Sequence, residues 1–197
     1  WTTEELFLIM EISEIQEKYD NKVILVDKPL YWTSAKVTNK IKKTFKLKKV
    51  GHSGTLDPKA TGLLVICTGK KTKTIAGMIG ADKDYEGIIR IGAVTPTYDT
   101  ESDEQDIMDT SNITEEQIIE VRNKFLGEIE QIPPMHSAIK HKGKPIYKLA
   151  RKGKTLELMP RRVFIKEFQI ERISETEIKF FVSVSKGTYI RSLANDF

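Results

Sequence analysis

The apolar positions of this chain recur at two spacings, one typical of helices and the other of strands. Residues 4–19 have apolar side chains three and four positions apart, behind Thr2 and Glu5, which are spaced as a capping box. Ser34 is predicted to cap a second helix, in which one stripe is apolar and the other is rich in lysine. The remaining predicted helices cover residues 71–80, 114–127 and 145–153 and the end of the chain after Gly187.

Strands are predicted where apolar and polar residues alternate, or where a short apolar run is bounded by turn residues. These segments are residues 23–26, 63–67, 85–94, 163–173 and 178–185, the last two forming a hairpin around residues 174–176. Because the strands and helices do not alternate regularly, the chain is predicted to have an α+β fold.

The charges are distributed unevenly although the formal net charge of the 197-residue chain is only +4. Residues 36–73 contain eleven lysines and one acidic residue, whereas residues 99–109 contain six acidic residues and no basic one. A basic face with an acidic loop elsewhere favours a ligand with a phosphate backbone. The alternative is a solvated, lysine-rich helix face, and charge alone does not decide between the two.

The composition also bounds the class of protein. A single cysteine, Cys67, excludes an internal disulfide and suits a reducing compartment, so we expect a cytoplasmic protein. No apolar run approaches the ~20 residues of a membrane span, and the first residues lack the basic region of a signal peptide. The cysteine and the three histidines are scattered without zinc-ligand spacing, so no metal is expected. A start without methionine and an end within a helical pattern suggest a fragment.

The segment of residues 51–62 concentrates the residue types that chemistry needs. It holds three glycines, one histidine, one carboxylate and one proline, and it lies between a basic run and an apolar run. Glycine permits close approach of the backbone to a ligand, and Pro58 disfavours helix at Asp57. Asp57 is therefore predicted to lie on a stiff loop beside a buried strand, where catalytic groups often occur. The alternative is an ordinary Asx-turn.

Six segments resemble, in order, the motifs of the TruB family, the tRNA pseudouridine synthases that modify the uridine of the T-loop. The segment GHSGTLDPKATGLL at residues 51–64 is similar to the family's catalytic motif. The others are DKP with TS at residues 27–34, KDYEG at 83–87, TPTYD at 95–99, QIPPMHSAIKHKGKPIYKLARKG at 131–153 and SKGTYIRSLA at 185–194.

The resemblance implies a fold, a domain organisation and a partner. It implies a mixed, mainly antiparallel sheet with flanking helices and a central catalytic cleft, built from residues 21–197. Residues 1–20 are expected to be a helical extension, which the resemblance does not explain. The expected partner is the T-arm stem-loop of tRNA, bound by a monomer that has no contact with a membrane. The C-terminal elements of the family and its RNA-binding accessory module are expected to lie beyond Phe197.

The implied reaction converts uridine at position 55 of tRNA to pseudouridine. The C1′–N1 bond breaks, the base rotates and C5 replaces N1, so no cofactor is required. A carboxylate can attack C1′ as a nucleophile or act as a base at C2′. The resemblance implies that Asp57 is this carboxylate, that Arg191 is its partner and that Tyr85 stacks on the flipped uracil. It also implies RNA contacts from His52, Lys28, Tyr189, Gly54 and Thr55.

Two alternatives remain open from the sequence. The chain could be a guide-RNA-directed pseudouridine synthase of the same family, or a non-catalytic RNA-binding protein that uses the same basic face. Tyr31 stands where the family usually has glycine, so the backbone there must avoid positive φ or tolerate strain. Asp99 matches an acidic position of the TPTYD motif, but no step of the chemistry derived above requires it.

Overall fold

A computed structural model describes residues 13–137, 139–141, 144–146 and 156–197 of the chain. The chain divides into two compact units, Trp1–Ala81 and Asp82–Phe197, which we call the N-terminal unit and the C-terminal unit. The predicted α+β class is confirmed, since each unit combines an antiparallel sheet with helices. Among the described residues, no helix has the length and apolar character that crossing a membrane requires.

The N-terminal unit is built on a three-stranded antiparallel sheet in the order β1-β3-β2. The strands are β1 (Val23–Lys28), β2 (Val50–His52) and β3 (Gly62–Thr68). Leu64 and Ile66 of β3 are buried against Val37, whereas Leu63, on the other face of the strand, is 65% exposed. The strand predicted at residues 63–67 is therefore confirmed, but its apolar run is not buried throughout, because alternate residues point to opposite faces.

The helices described in the N-terminal unit are α1, seen over residues 13–19, α2 (Ser34–Thr44), a 3₁₀ helix (Gly69–Thr74) and α3 (Ile75–Ile79). The cap of α2 is Thr33, whose hydroxyl accepts a hydrogen bond from the Lys36 amide at 3.0 Å. The prediction that Ser34 is the cap is therefore wrong by one residue. The helix predicted over residues 71–80 is divided between the 3₁₀ helix and α3. The proposed capping box at Thr2 lies outside the described residues.

The C-terminal unit contains a four-stranded antiparallel sheet in the order β4-β9-β8-β5. The strands are β4 (Lys83–Arg90), β5 (Gly127–Gln131), β8 (Arg161–Arg172) and β9 (Glu177–Val184). The predicted hairpin is confirmed by the pairing of β8 with β9. Strand β4 ends before the predicted residue 94, and Val94 instead forms an isolated bridge with Gln105. The core of this unit is a cluster of seven buried apolar residues: Ile89, Ile165, Phe168, Phe180, Val182, Val184 and Leu193.

The remaining elements are α4 (Glu115–Lys124), α5 (Ile190–Asp196) and the short strands β6 (Lys140–His141) and β7 (Lys144–Pro145). The predicted start of α4 is confirmed, because Thr114 and Gln117 form both bonds of a capping box. The prediction that this helix reaches Gly127 is wrong: Gly127, with φ of 87°, begins β5.

The prediction for the segment from Pro145 is wrong at its first residue. Pro145 does not begin a helix but pairs with Lys140 in the β6–β7 ladder. The continuation of that predicted helix over residues 147–153 lies outside the described residues.

Candidate active site

The loop between β2 and β3 carries Asp57, and Ser34 holds the residue before it. The Ser34 hydroxyl donates to the Leu56 carbonyl at 3.2 Å and accepts from the Leu56 amide at 2.9 Å. Ser34 is 2% exposed, so both bonds are shielded from water. A buried hydroxyl with both roles satisfied fixes the loop backbone immediately before the carboxylate.

Lys28 holds the residue after Asp57. Its ammonium is fully buried and donates to the carbonyls of Pro29 at 3.0 Å, Trp32 at 2.7 Å and Pro58 at 3.3 Å. Three donors therefore have three acceptors, which is what burial of a lysine requires. Burial lowers the pKa of Lys28, while the negative charge of Asp57 opposes part of that change. Lys28 thus cross-links the loop and brings its charge near the carboxylate.

Tyr31 supplies a second bond to Pro58 through its backbone. Its amide donates to the Pro58 carbonyl at 2.7 Å, and its φ is 63°. From the sequence, the backbone at Tyr31 had either to avoid positive φ or to tolerate strain. The structure has the second of these, a left-handed conformation at a non-glycine residue. The side chain is 71% exposed, so the strain serves the backbone bond and not side-chain packing.

Asp57 thus lies between two anchored neighbours, Leu56 and Pro58. Its side chain is half-buried, and its carbonyl accepts a bond from the Ala60 amide at 3.0 Å, which closes the turn. At the far end of the loop, Gly62, with φ of 111°, donates its amide to the Asp27 carboxylate at 3.1 Å. The loop is held at several points by groups from β1 and α2.

His52 ends β2, and its ring is fixed by the same loop. The Nδ1 atom lies 2.5 Å from the Gly54 carbonyl. A carbonyl only accepts, so this bond assigns the proton to Nδ1 and leaves Nε2 of the neutral ring as an acceptor. Gly54 therefore contributes its carbonyl to the site, whereas the neighbouring Thr55 is exposed on the loop. The N-terminal unit brings Lys28, His52 and Asp57 onto one framework.

In the C-terminal unit, Arg191 lies in the first turn of α5, and neighbouring segments fix its guanidinium. Its Nε lies 3.7 Å from the Asp99 carboxylate, and its two terminal nitrogens donate to the carbonyls of Thr97 at 3.1 Å and His136 at 2.9 Å. Arg191 and Asp99 are mostly buried, with side chains 13% and 20% exposed. Asp99 therefore has a role that the sequence analysis did not find: it orients Arg191.

The start of α5 is joined to the end of β5. The Gln131 side chain accepts from the Tyr189 amide at 2.8 Å and donates to the Tyr189 carbonyl at 3.1 Å, and it is 2% exposed. One turn on, the Ser192 hydroxyl donates to the Ile132 carbonyl at 2.7 Å. These bonds set the position of Arg191, which lies between Tyr189 and Ser192. Gln131 belongs to the QIPP motif, which was the available signal for this role.

Tyr85 lies in the middle of β4, opposite Val182 of β9. Its ring packs against the core cluster of the C-terminal unit and remains partly exposed. The position is compatible with both roles considered from the sequence, packing in the core and stacking on a base. Stacking by Tyr85 and the pairing of Asp57 with Arg191 stay predictions.

The family model that matches this chain is described as the N-terminal domain of the TruB family pseudouridylate synthases, and the match covers residues 42–190. A tRNA pseudouridine synthase B of Flavobacterium johnsoniae is 49% identical over 189 residues, which cover 92% of this chain and 82% of the relative. The enzyme of the same name from Chlorobaculum tepidum is 48% identical, with coverage of 94% and 78%.

Solved structures of related proteins also resemble this chain, at lower sequence identity. A Cbf5–Nop10–Gar1 complex contains a chain that is 30% identical, with a TM-score of 0.67 over 92% of this chain. An H/ACA ribonucleoprotein bound to a substrate RNA containing 2′-deoxyuridine contains one that is 27% identical, with a TM-score of 0.65 over the same share. This chain spans only 45% and 43% of those two proteins.

Proposed function

The chain belongs to the TruB family of pseudouridylate synthases, and on this premise we propose that it isomerises the uridine at position 55, in the T-loop of tRNA, to pseudouridine. The observation that carries the proposal is the anchoring of Asp57 between Leu56 and Pro58 by Ser34, Lys28 and Tyr31. A preorganised carboxylate on a loop held by buried polar groups can meet the ribose of a nucleotide in a fixed geometry.

Asp57 acts on the ribose of the target nucleotide. As a nucleophile it forms a bond to C1′ while the electron pair of the C1′–N1 bond leaves with the uracil; as a base it removes the C2′ proton. The uracil rotates and C5 bonds to C1′, while the Asp57–C1′ bond breaks on the first route or the proton returns to C2′ on the second. The proton of C5 is then lost to solvent, and N1 takes one up. Atoms balance without an oxidant, a reductant or an added group. Arg191, oriented by Asp99, supplies the positive charge proposed to pair with this carboxylate.

The target base must leave the stack before Asp57 can reach C1′. Flipping costs a few kcal/mol, which stacking and hydrogen bonding in the pocket offset. Tyr85 provides the stacking surface, and His52 contacts the remodelled loop through Nε2, since Nδ1 is engaged by Gly54. Tyr189, Gly54 and Thr55 complete the RNA contacts proposed for the site.

The relatives favour tRNA over an RNA chosen by a guide. Those named tRNA pseudouridine synthase B are 42–49% identical, whereas the chains from the Cbf5 and H/ACA structures are 27–30% identical. We therefore propose the T-arm stem-loop as the ligand and a monomer as the acting form. The buried free thiol of Cys67 suits the cytoplasm, where we place the reaction.

The test is tritium release from a T-arm stem-loop RNA labelled at C5 of uridine, because C5 loses its hydrogen only when the new C–C bond forms. The wild-type chain should release tritium, and Asp57→Asn should lower the rate about 10⁴-fold or more, equal to about 5.4 kcal/mol of transition-state stabilisation. Asparagine keeps the shape and the turn, so unfolding should change by at most about 1 kcal/mol.

Asp27→Asn is the matched control, because Asp27 is a carboxylate that bonds the far end of the same loop at Gly62. It should retain most of the turnover. Equal turnover by the wild type and Asp57→Asn would exclude Asp57 as the catalytic carboxylate. RNA binding without tritium release by either would favour a non-catalytic RNA-binding protein.

A further inference from the structure

A groove runs along the exposed side of α2, and of its lining side chains only that of His52 has a role in the site described above. It consists of two adjoining hollows that share Ala35 and Asn39, with volumes of about 310 Å³ and 440 Å³. The smaller hollow is also lined by His52, Val50 and Gly51, so it begins beside the loop that carries Asp57. The larger one continues along the helix to Lys43. We call the whole feature the α2 groove.

The larger hollow is cationic. Lys36, Lys40 and Lys43 line it at spacings of four and three residues, which places them on one face of the helix. The segment Ser34–Thr44 contains no acidic residue to compensate them. The ammonium of Lys36 lies 4.2 Å from the centre of the Trp32 ring, so a cation–π contact holds it at the edge of the groove. A row of like charges in a groove attracts a polyanionic chain.

The smaller hollow offers hydrogen-bonding groups in place of charge. His52 is held by its Nδ1 bond to Gly54, and Nε2 is the acceptor that the neutral ring offers a ligand. Asn39 lines both hollows and is exposed, and its side-chain amide offers both a donor and an acceptor. The groove therefore changes from phosphate-binding character at Lys43 to base- or sugar-binding character at His52.

From this arrangement we propose that the α2 groove holds the RNA strand adjacent to the target uridine. Phosphates lie along Lys36, Lys40 and Lys43, and a 2′-hydroxyl or an exocyclic amine donates to His52 Nε2. This inference rests on the proposed function, since it takes the substrate to be RNA. It adds a path for the strand that leads to the loop of Asp57, and it assigns affinity and not chemistry to the three lysines.

The test compares Lys36→Ala/Lys40→Ala/Lys43→Ala with the wild type for binding of a labelled T-arm stem-loop RNA over a range of salt concentrations. Loss of three single-strand phosphate contacts should weaken binding about tenfold to fiftyfold near 0.15 M salt and reduce the log–log salt slope by about 2. Tritium release at saturating RNA should keep its rate. Alanine at exposed helix positions favours the helix, so the variant should fold.

Three controls isolate the groove. The triple arginine variant at the same positions keeps the charge and should bind within about threefold of the wild type. Lys42→Ala removes an exposed lysine of the same helix that lines neither hollow, and it should have a smaller effect than Lys43→Ala. Lys124→Ala/Lys166→Ala/Lys179→Ala removes three exposed charges of the C-terminal unit and should leave the salt slope within about 0.5 of the wild type.

At the His52 end, the probe is the same stem-loop RNA with single 2′-deoxy substitutions. Binding weakened by one such substitution identifies a 2′-hydroxyl as the donor to Nε2, and weakening by replacement of an exocyclic amine identifies a base. The proposal for the α2 groove is overturned if the alanine variant of Lys36, Lys40 and Lys43 has the salt slope of the wild type. It is also overturned if the control alanine variant of the C-terminal unit lowers the slope by the same amount. A different outcome is a wild type that releases no tritium but binds RNA through the three lysines of the α2 groove. That result would overturn the proposed function and leave the proposal for the groove standing.

Discussion

Each of the two units is stabilised internally by a different kind of interaction. Both nevertheless contribute residues proposed for the same reaction. The N-terminal unit has a small apolar cluster of Val37, Leu64 and Ile66, and its loop depends on the buried polar groups of Lys28 and Ser34. The C-terminal unit has the larger apolar cluster, with Phe168 at the meeting point of several rings.

The difference indicates where a substitution should affect stability and where it should affect turnover. Apolar packing contributes stability in proportion to buried area and tolerates small displacements of the chain. A buried polar network sets directions and distances, and losing one member leaves its partners unsatisfied. We expect the polar anchors of the N-terminal unit to control the position of Asp57, and the apolar cluster mainly to keep the C-terminal unit folded.

The largest expected effect on stability is that of Phe168→Ala. Phe168 is 1% exposed, and its ring lies 5.7 Å from that of Phe197 and 6.4 Å from that of Phe180. The cavity should cost about 3–5 kcal/mol of unfolding free energy, measured in urea by circular dichroism. Phe164→Ala, on the same strand and 51% exposed, should cost less than about 1 kcal/mol. Similar losses in both variants would contradict the assignment of this stability to the buried apolar cluster.

Lys28→Met should cost less stability but more turnover. Three carbonyls lose their donor, so we expect a loss of about 2–3 kcal/mol in the unfolding free energy. Tryptophan fluorescence reports the unfolding of the N-terminal unit, to which Trp32 belongs. Tritium release should fall because the Pro58 carbonyl beside Asp57 is no longer held. Lys22→Met, at an exposed position, should change neither quantity.

The pH dependence of Lys28 has a defined sign. Burial lowers its pKa in the folded protein, so between that pKa and the unfolded value of about 10.4 the unfolded chain binds more protons. Stability from this group should therefore rise with pH through that alkaline window. The stability difference between the wild type and Lys28→Met should grow as pH increases there, and a difference that shrinks would contradict the assignment.

Asp99→Asn tests whether the C-terminal unit also uses a polar anchor at its functional residue. Asparagine cannot form the ion pair with Arg191, so turnover should fall about 10- to 100-fold, or about 1.4–2.7 kcal/mol, with little change in RNA affinity. Asparagine keeps an oxygen that can accept from Thr97 and Glu101, but the mostly buried Arg191 loses its charge partner, so unfolding should cost on the order of 1–2 kcal/mol. Asp103→Asn, at an exposed position of the same acidic loop, should retain full turnover. Equal activity of the two variants would deny Asp99 its positioning role.

Ser34→Ala and Thr33→Ala separate the anchor from the helix cap. Each substitution should cost about 1 kcal/mol of stability, the first through the Leu56 bonds and the second through the cap of α2. Turnover should fall several-fold in Ser34→Ala alone, because the residue before Asp57 is released. The assay is tritium release at saturating RNA, and a larger loss in Thr33→Ala would reverse the assignment.

The smallest expected effect is an increase in the unfolding free energy, caused by Tyr31→Gly. Tyr31 has φ of 63°, and glycine adopts this conformation without the clash that a side chain meets. Tyr31→Gly should therefore raise the unfolding free energy by up to about 1 kcal/mol while keeping the amide bond to Pro58. Tyr31→Ala keeps a Cβ and should give no gain, as urea unfolding followed by Trp32 fluorescence can establish.

Local patterns were sufficient for much of the secondary structure. Alternation identified β8 and β9 as a hairpin, and the spacing of Thr114 and Gln117 identified the start of α4, because those features depend on neighbouring residues alone. One error, the cap of α2, lies where a competing local signal was equally good. Thr33 and Ser34 are both suitable caps, and only the burial of Ser34 beside Leu56 shows which hydroxyl the helix uses.

The sequence by itself determined the α+β class, the family through the order of its motifs, and the candidate carboxylate through the segment around Asp57. What only the tertiary structure decided is how that segment is held. The bonds from Ser34 to Leu56 and from Lys28 to Pro58 join residues 22 and 30 positions apart. In the C-terminal unit, the contact of Asp99 with Arg191 spans more than ninety residues. Such bonds form only when folding brings distant backbone groups together and excludes water from them, and no short-range pattern encodes that distance.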